Sequence, residues 1–501
     1  MHSGGFLVAT IAIPLLGAAA LMLVPGTQRQ AVRWISAAIG FVLFALSTYI
    51  FFAYQLDSGT PYQFEITWPW IENVGFLDEG GISLHLGVDG IGAAMVLLTG
   101  AVAFAGALIS WKIENRNKDF FILYWVLVSG VYGTFQALDL FAFFFFYEVA
   151  VLPMYLLIGV WGASSVFRTF ARTKEYSAMK LTVMLVAASI LIFTGIIAVF
   201  HEANIGTFDL VKLYEVQFDE DFQKVVFPLF LIGCGVLAGL WPFHTWSPDG
   251  HVAAPTAVSM LHAGVLMKLG AFGIIRLGIQ LLPEGAQFWM PALVVLATVN
   301  VVYGAIAATA QQDFKYMVGY SSVSHMGYVL LGLATLNPVG LNGAVLQMFS
   351  HGVMTGLFFA MVGALYDQAH IRDMTQFGGL AHRMPRWAAY FVIAGLASVG
   401  LPGLSGFVAE FNIFVGLFRT YPAFGALGVL AAAITAVYIF RMFARAFFGP
   451  FSERWAELKE MTFLEQAAGA LLIAMILFMG LFPSPFVDRI TETVSQLPGV
   501  S

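Results

Sequence analysis

Three charged residues interrupt long apolar stretches of this sequence. Glu148 lies in FAFFFFYEVAVLPMY, Lys268 lies in SMLHAGVLMKLGAFGIIR, and Glu410 follows the Gly/Pro-rich segment GLPGLSGFVAEF. An ionisable side chain in the hydrocarbon of a bilayer costs about 2.5–3.5 kcal/mol even on lenient insertion scales, so its presence needs a reason. Three histidines lie at comparable depth in their own apolar stretches: His262, His325 and His351.

These residue types are the ones from which a proton relay is built. Burial and neighbouring charges can move the pKa values of carboxylates, lysines and histidines toward 7. A structural polar contact between helices is the alternative for any single histidine. For the three charged residues together, the cost of burial favours transport. His262 and Lys268 are separated by about 240° around an ideal α-helix, so they do not share a face.

The elements that must position these residues are membrane-spanning helices. The chain has 501 residues, of which 59% are hydrophobic and 10% are charged, whereas a soluble domain carries about 25% charged residues. Apolar runs long enough to cross the bilayer recur along the whole chain, so we predict an all-α polytopic membrane protein with about fourteen spans. The predicted spans are residues 6–25, 33–55, 84–111, 120–138, 139–163, 177–200, 226–246, 253–279, 289–311, 316–335, 338–365, 386–415, 422–447 and 462–483.

Two of these spans are interrupted by proline and glycine. Pro242 interrupts the seventh span, and Pro402, Gly403 and Gly406 interrupt the twelfth. Proline removes an intrahelical hydrogen bond, and unwound backbone at membrane depth is tolerated only where protein or water satisfies it. A packing kink would explain either break alone, but breaks five spans apart are typical of inverted five-helix repeats.

The chain is therefore predicted to be a single membrane domain, residues 1–501. Within it we expect N-terminal helices 1–3 in residues 1–119, a first repeat (spans 4–8) in 120–279, a second repeat (spans 9–13) in 289–447, and the last helix and tail in 448–501.

The distribution of Lys and Arg predicts the orientation. The loop with Arg29 and Arg33 and every second connection after it hold 17 of the 23 basic residues, the opposite side holds 5, and Lys268 lies inside a span. Cytoplasmic loops are enriched in basic residues, so both termini are expected on the non-cytoplasmic side of a bacterial inner membrane. The first apolar run has no Lys or Arg before Arg29, so we interpret it as a retained helix rather than a cleaved signal peptide.

The remaining composition argues against several function classes. A net charge of −6 does not suggest a nucleic-acid partner. The single cysteine, Cys234, cannot supply the thiolates of an iron–sulfur cluster, so any redox centre is expected on another subunit.

Several stretches between residues 88 and 412 carry a family resemblance: VDGIGAAMVLLT, FFYEVAVLPMYLLIGVWG, PFHTWSPDGHVAAPTAVSMLHAGVLMKLG, DFKYMVGYSSVSHMG and GLPGLSGFVAEF. Together they resemble the antiporter-like subunits of NADH:quinone oxidoreductase (respiratory complex I), which are related to Mrp-type Na⁺/H⁺ antiporter subunits. Among these, the chain is similar to the M subunit, because Glu410 stands where the L and N relatives are expected to have lysine. The chain also ends soon after the fourteenth span, without the long lateral helix of the L subunit.

The resemblance implies a role for each matching residue. Glu148 would be the fifth-helix carboxylate, Lys268 the central lysine and Glu410 the exit-side carboxylate, while His325 and His351 would belong to the hydrophilic axis that connects them. His262 is a further relay candidate, and His244 and Lys180 are supporting candidates.

One position departs from the family pattern. The family has a lysine in the seventh helix, seven residues before the histidine of PFHTW, and here that position is Leu237. In the family this lysine pairs with the fifth-helix glutamate, so its loss questions pumping through the first half of the subunit.

The resemblance therefore implies a proton-translocating subunit of complex I that couples NADH:quinone electron transfer to proton pumping. Other membrane subunits, including related antiporter-like subunits, would be its partners, and the flavin and iron–sulfur clusters would lie on partner subunits, with no cofactor or metal in this chain. Two alternatives stay open. One is an Mrp-type cation/proton antiporter component, and the other is a structural subunit with the antiporter fold whose channel Leu237 has disabled.

Overall fold

Helices form fourteen spans in a computed structural model that describes residues 3–71, 81–166 and 171–500. Spans 1 to 6 are Gly5–Leu23, Arg29–Ala53, Gly90–Ile109, Asn117–Gln136, Leu140–Trp161 and Lys174–Ala203. Span 7 contains Glu220–Ala238, the 3-10 turn Phe243–Thr245 and Trp246–Ala253. Span 8 runs through Thr256–Leu261, the π-helix His262–Leu266, Met267–Gly273 and the π-helix Ile274–Ile279. Spans 9 to 11 are Pro283–Ala310, Phe314–Ala334 and Pro338–Ala369. Span 12 contains Pro385–Ser398 and Ser405–Thr420, span 13 is Pro422–Met442 with the π-helical end Phe443–Phe447, and span 14 is Phe463–Leu481.

Smaller elements lie between the spans. They are the strands β1 (Gln63–Ile71), β2 (Ile82–Val88), β3 (Ser165–Val166) and β4 (Ala171–Arg172), the helices Leu210–Leu213, Leu380–Arg383 and Ser484–Val494, and the 3-10 turns Ser110–Lys112, Met374–Gln376 and Glu453–Trp455. Arg168, one of the basic residues used to predict orientation, lies outside the described residues.

The spans differ in how much of their surface is covered. Eleven helices of the described chain are long and apolar enough to cross a membrane by length and composition alone. The other three spans are span 4, span 10 and the divided span 12, which are shorter or less apolar. In spans 8 and 11 the most apolar window is completely buried inside the protein. These central spans carry Lys268, His262 and His351, so these three relay candidates lie in the interior rather than against lipid.

The structure contains both predicted helix breaks. The first helix of span 7 ends at Ala238, and Pro242 lies in the unwound segment before the next turn. In span 12 the helix stops at Ser398 and resumes at Ser405, with Pro402 and Gly403 between. Gly403 has φ = +91°, a conformation that L side chains rarely adopt. The prediction for Gly406 was wrong, because this residue lies in the first turn of the resumed helix.

The beginning of span 3 was also predicted wrongly. Residues 82–88 form strand β2, which pairs antiparallel with β1, and the helix begins only at Gly90. The side chain of Asp89 caps the helix by accepting a hydrogen bond from the Gly92 N–H at 2.8 Å. The sequence ISLHLGV alternates apolar residues with small or polar ones, a strand signal that was hidden by the long apolar run that follows.

The β1–β2 hairpin is held to the helices by a buried histidine. Nε2 of His85 lies 2.7 Å from Oε1 of Glu65 in β1, and its Nδ1 lies 3.0 Å from Oδ2 of Asp209, which caps the short helix Leu210–Leu213. Close by, Asp139 caps span 5 and accepts a hydrogen bond from Ser83 of the hairpin. Three elements therefore meet at one imidazole on the face of the protein that carries the hairpin, called the hairpin face below.

The protonation of His85 sets the strength of this contact. Burial alone would lower the pKa of His85, but the hydrogen bonds and charges of Asp209 and Glu65 outweigh it and raise the pKa above its usual value. Burial would also raise the pKa of Asp209, but the hydrogen bond and charge of His85 lower it. The ion pairs therefore stabilise the hairpin fully below the unfolded-state pKa of His85, about 6.5, and this stabilisation is lost as pH rises through the folded-state value.

We predict that the hairpin loosens as the pH is raised. In the purified protein, backbone amides of β1 and β2 should progressively lose protection from hydrogen exchange as the pH rises above about 6.5, by up to about tenfold for each unit by which the His85 pKa is raised. Protection is corrected for the intrinsic rate and read by mass spectrometry. His85→Gln should remove this pH dependence, and the same pH dependence in His85→Gln would contradict the assignment.

Candidate functional site

Lys268 lies at the centre of the protein with its side chain completely buried. Its ammonium group donates to the carbonyl of Ala263, and its Nζ lies 2.6 Å from Nδ1 of His351 in span 11. The π-helix His262–Leu266 explains why that carbonyl is available, because the Met267 N–H bonds to the carbonyl of His262, five residues back, rather than to Ala263. The sequence indicated the depth of Lys268 but not this local unwinding.

From Lys268 a row of polar groups leads to Glu410. The imidazole rings of His351 and His325 stack with centroids 5.6 Å apart, and Nδ1 of His325 lies 3.5 Å from Oε1 of Glu410. Two further side chains orient His325. Ser398 Oγ lies 2.9 Å from its Nε2, and Gln347 Nε2 lies 3.1 Å from its Nδ1. Four of the predicted residues are therefore brought into one continuous buried row.

Glu410 faces the break in span 12. A Cβ atom at Gly400, which has φ = +74°, would lie only 2.8 Å from Oε2 of Glu410. Because residue 400 is a glycine, the unwound backbone leaves room for the carboxylate at a place where a side chain would exclude it. Glu410 is the last titratable group of the row before the opened end of the helix.

His262 occupies a second buried cluster, on another face of span 8. Its ring centroid lies 4.1 Å from that of His251 and 5.2 Å from that of Trp246, both in the second helix of span 7. Both ring nitrogens of His262 and Nδ1 of His251 are buried without a hydrogen-bond partner among the described residues. As the helical rotation predicted, His262 and Lys268 contact different neighbours.

Glu148 is set apart from the row. It is the ninth residue of span 5 and only partly buried, and its Oε1 has no hydrogen-bond partner among the described residues. Leu237 lies fully buried in the last turn before the break in span 7. Among the described residues, no Lys, Arg or His nitrogen forms an ion pair with Glu148, and Lys224 pairs instead with Glu220 at 2.6 Å.

The two supporting candidates lie at the break of span 7. His244 is in the 3-10 turn, and neither of its ring nitrogens has a partner among the described residues. Lys180 Nζ donates to the carbonyl of Thr245 and lies 2.9 Å from Oδ2 of Asp249.

The sequence reasoning missed several buried polar residues. Asp249 forms ion pairs with Arg172 and Lys180 and accepts a hydrogen bond from Tyr316. His251 follows it by two residues in SPDGHVAAP, and the clustering of Asp and His within an apolar stretch was the available signal. Lys268 is also not the sole buried cation, because Lys315 and Arg276 are almost completely buried. Lys315 was assigned to the connection before span 10. Arg276 was counted with the basic residues of the non-cytoplasmic side because it lies close to the end of the predicted eighth span.

With this geometry in view, comparisons with known proteins identify the family. The family described as NADH:quinone oxidoreductase/Mrp antiporter, transmembrane, matches residues 137–435. NADH-quinone oxidoreductase subunit M of Rhodobacter capsulatus is 36% identical over 508 residues, covering 97% of this chain and 94% of that protein. An NAD(P)H-quinone oxidoreductase chain 4 of a Picosynechococcus strain is 36% identical over 453 residues, covering 88% of this chain and 80% of that protein.

Solved structures agree with the fold. A chain of respiratory complex I from Thermus thermophilus superposes with a TM-score of 0.87 at 27% identity and covers 98% of this chain and 99% of its own. A chain of the Mrp complex from a Dietzia strain gives a TM-score of 0.83 at 19% identity, covers 99% of this chain and 98% of its own, and is similar in fold. This chain is a multi-pass membrane protein that belongs to the NADH:quinone oxidoreductase/Mrp antiporter transmembrane family.

Proposed function

We propose that this chain is a proton-translocating, antiporter-like subunit of an NADH:quinone oxidoreductase. The observation that carries the proposal is the continuous buried row from Lys268 through His351 and His325 to Glu410. Charged side chains in the membrane interior are costly, so a row of them with mutual contacts needs a function that repays their burial. Proton transfer is such a function, since each group in the row can hold or release a proton.

Within this proposal the residues act in sequence. Lys268 is the central store, and its contact with His351 is short enough for direct proton transfer. His325 relays between His351 and Glu410 while Ser398 and Gln347 fix its ring. Glu410 then releases the proton at the break in span 12, toward the hairpin face. We assign the hairpin face and both termini to the non-cytoplasmic side, because basic residues concentrate in the connections on the opposite face.

We also propose that spans 4–8 and 9–13 are inverted repeats, within the division of the chain stated above. Five-span units joined in tandem must run in opposite directions, because each has an odd number of crossings. An equivalent pair of bridges supports this proposal. Asp139 caps span 5 and forms an isolated antiparallel β-bridge through its backbone with Asp209 on the hairpin face. Asp313 caps span 10 and forms the same kind of bridge with Asp373 on the opposite face.

Energy for translocation comes from electron transfer on partner subunits, which carry the flavin and iron–sulfur clusters. This chain supplies the proton path and docks against other membrane subunits of the complex. An Mrp-type antiporter component is the alternative with the same fold. Copurification of this chain with an NADH-oxidising, flavin-containing arm distinguishes the complex I subunit from the antiporter component.

The first prediction from this proposed function concerns Lys268. Lys268→Ala should abolish most proton translocation while the complex still assembles, because the central store is lost. Lys268→Arg should rescue it poorly, since an arginine does not release its proton at working pH. Pumping is measured by dye quenching in inverted membrane vesicles, with the exposed Lys459→Ala as matched control. Normal pumping by Lys268→Ala would refute the relay.

The second prediction concerns Glu410. Glu410→Gln keeps the size and hydrogen-bonding capacity of the side chain but removes its titration, so pumping should fall severalfold more than the amount of assembled complex. Glu457→Gln, an exposed change, is the control. A variant complex that fails to assemble, while its surviving molecules pump normally, would show that Glu410 is structural.

The third prediction concerns Glu148. A carboxyl group in apolar surroundings with no cationic partner is favoured in its neutral form, so Glu148 should carry a proton at neutral pH. Leu237→Lys should return it to the ionised form. Infrared difference spectra of the parent, Glu148→Gln and Leu237→Lys report the carboxylic C=O stretch.

The parent should show a protonated-carboxyl band that is missing in both variants. A parent spectrum without a band assignable to Glu148 would mean that a cation from elsewhere in the complex has replaced the lysine.

A further inference from the structure

A cavity opens on the face opposite the hairpin, at the beginning of span 8. Its volume is 190 Å³, which is room for about six waters at about 30 Å³ each. Residues of spans 3, 5, 8, 10 and 11 line it, including Trp161 at the last turn of span 5 and Thr256 at the first turn of span 8. It lies away from Glu148 and is not part of the row between Lys268 and Glu410.

The cavity is lined by titratable groups from its mouth to its floor. Lys112 and Asp367 are exposed at the mouth, where Lys112 also pairs with Glu465 at 2.6 Å. Lys315 lies at the floor and is only 3% exposed. Its Nζ donates to the carbonyl of Ala254 at 2.7 Å, in the gap between spans 7 and 8.

Inward of Lys315 the gap between spans 7 and 8 remains polar. Nζ of Lys315 lies 3.4 Å from Oγ of Ser259, and that hydroxyl donates to the carbonyl of His251 at 2.8 Å. The ring of His251 in turn contacts the ring of His262, with their centroids 4.1 Å apart. Polar groups therefore follow span 8 over the roughly 18 Å that separate Thr256 from Lys268 along a helix.

The imidazoles between the two lysines have ring nitrogens that form no hydrogen bond with the described residues. Nδ1 of His251 and both ring nitrogens of His262 are buried and have no partner among the described residues. Buried polar atoms of this kind are normally satisfied by ordered water. Three unsatisfied nitrogens at two touching rings are what a water chain between Lys315 and Lys268 would use.

From these contacts we propose that protons enter this subunit through the cavity above Lys315 and reach Lys268 by way of His251 and His262, without passing Glu148. The neutral amine of Lys315 takes a proton from a hydronium ion that arrives through the cavity water, which leaves a water molecule. The ammonium form then passes the proton inward to water at the histidine pair and becomes the neutral amine again. Lys268, as the neutral amine, accepts the proton. This inference rests on the proposed function, because it supplies the same row with protons from the other face.

The purely structural reading is that Lys315 only satisfies the carbonyl of Ala254. Lys315→Arg separates the two roles, because a guanidinium still donates to the carbonyl but does not release its proton. Lys268→Ala serves as the benchmark for a subunit whose relay is broken, and Glu148→Gln tests the family's fifth-helix carboxylate. All variants are compared as assembled complexes in inverted vesicles, as protons moved per NADH oxidised.

Lys315→Arg should fall to the level of Lys268→Ala, and Glu148→Gln should retain clearly more pumping than Lys315→Arg. Parent-like pumping by Lys315→Arg would overturn the proposal, as would equal or lower pumping by Glu148→Gln. If Lys268→Ala itself pumps like the parent, the proposed function fails, and this outcome is distinct from failure of the entrance alone.

Cysteine labelling tests the cavity directly. Thr256→Cys is nearly isosteric and half-buried, and the chain's own Cys234 is buried. A membrane-impermeant cationic methanethiosulfonate added to inverted vesicles should lower pumping by Thr256→Cys to the Lys268→Ala level. The parent complex and the exposed Glu457→Cys, treated identically, control for other cysteines of the complex. Complete labelling of Thr256→Cys with unchanged pumping would overturn the proposal.

Discussion

A lysine amine that is completely removed from water constrains much of the centre of this protein. The amine of Lys268 has to find acceptors within the protein, because leaving a charged group unpaired in the bilayer interior costs several kcal/mol. One acceptor comes from the π-helix, which shifts the backbone hydrogen bond of Met267 and leaves the carbonyl of Ala263 to the lysine. The other is His351 on a span that is itself fully covered by protein. The need to provide acceptors for this buried amine thus accounts for the π-helix in span 8 and for the buried histidine in span 11. It also fits the central position of both spans.

The two halves of the chain share one plan but carry different chemistry. Each contains a span broken by proline, and each has a capping aspartate that bridges to a loop on the face from which its capped span starts. In the second half the break faces Glu410, which touches His325. In the first half Leu237 lies in the last helical turn before the break, and Glu148 has no ionic partner among the described residues. The break of the second half therefore adjoins a contact between two titratable groups, whereas the helical turn before the break of the first half is apolar at Leu237.

Much of this arrangement could be predicted from the sequence, because membrane spans and buried charges are strong signals. The spans, the depth of Lys268 and the breaks at Pro242 and Pro402 all follow from local residue patterns. The contact between Lys268 and His351 joins residues 83 positions apart, and no local pattern predicts such a distance. No residue type in this stretch of the sequence indicated the π-helix. Lys315 was assigned to a loop because charge counting locates the ends of spans but does not say which side chains turn inward.

Buried polar groups of this protein fall into two classes that differ in their partners. Near the membrane faces several of them form ion pairs with opposite charges. Asp89 forms an ion pair with Arg276 at 2.7 Å, and Asp313 forms one with Arg372 at 3.1 Å. Asp249 forms ion pairs with two cations and accepts a hydrogen bond from a tyrosine hydroxyl. Removing one partner from such a buried pair costs about 3–5 kcal/mol, so these groups hold helices in place and resist changes of protonation.

The second class lies deeper and keeps nitrogens or oxygens without protein partners. Among the described residues these include Nε2 of His351, both nitrogens of His262 and Oε1 of Glu148. A group that is not saturated can bind water and change its protonation at lower cost, because no ion pair has to be broken first. The ion pairs named above hold helices together near the two faces, and His351, His262 and Glu148 lie between them. In the proposed function, these groups without saturating partners are the ones that bind a proton and pass it on.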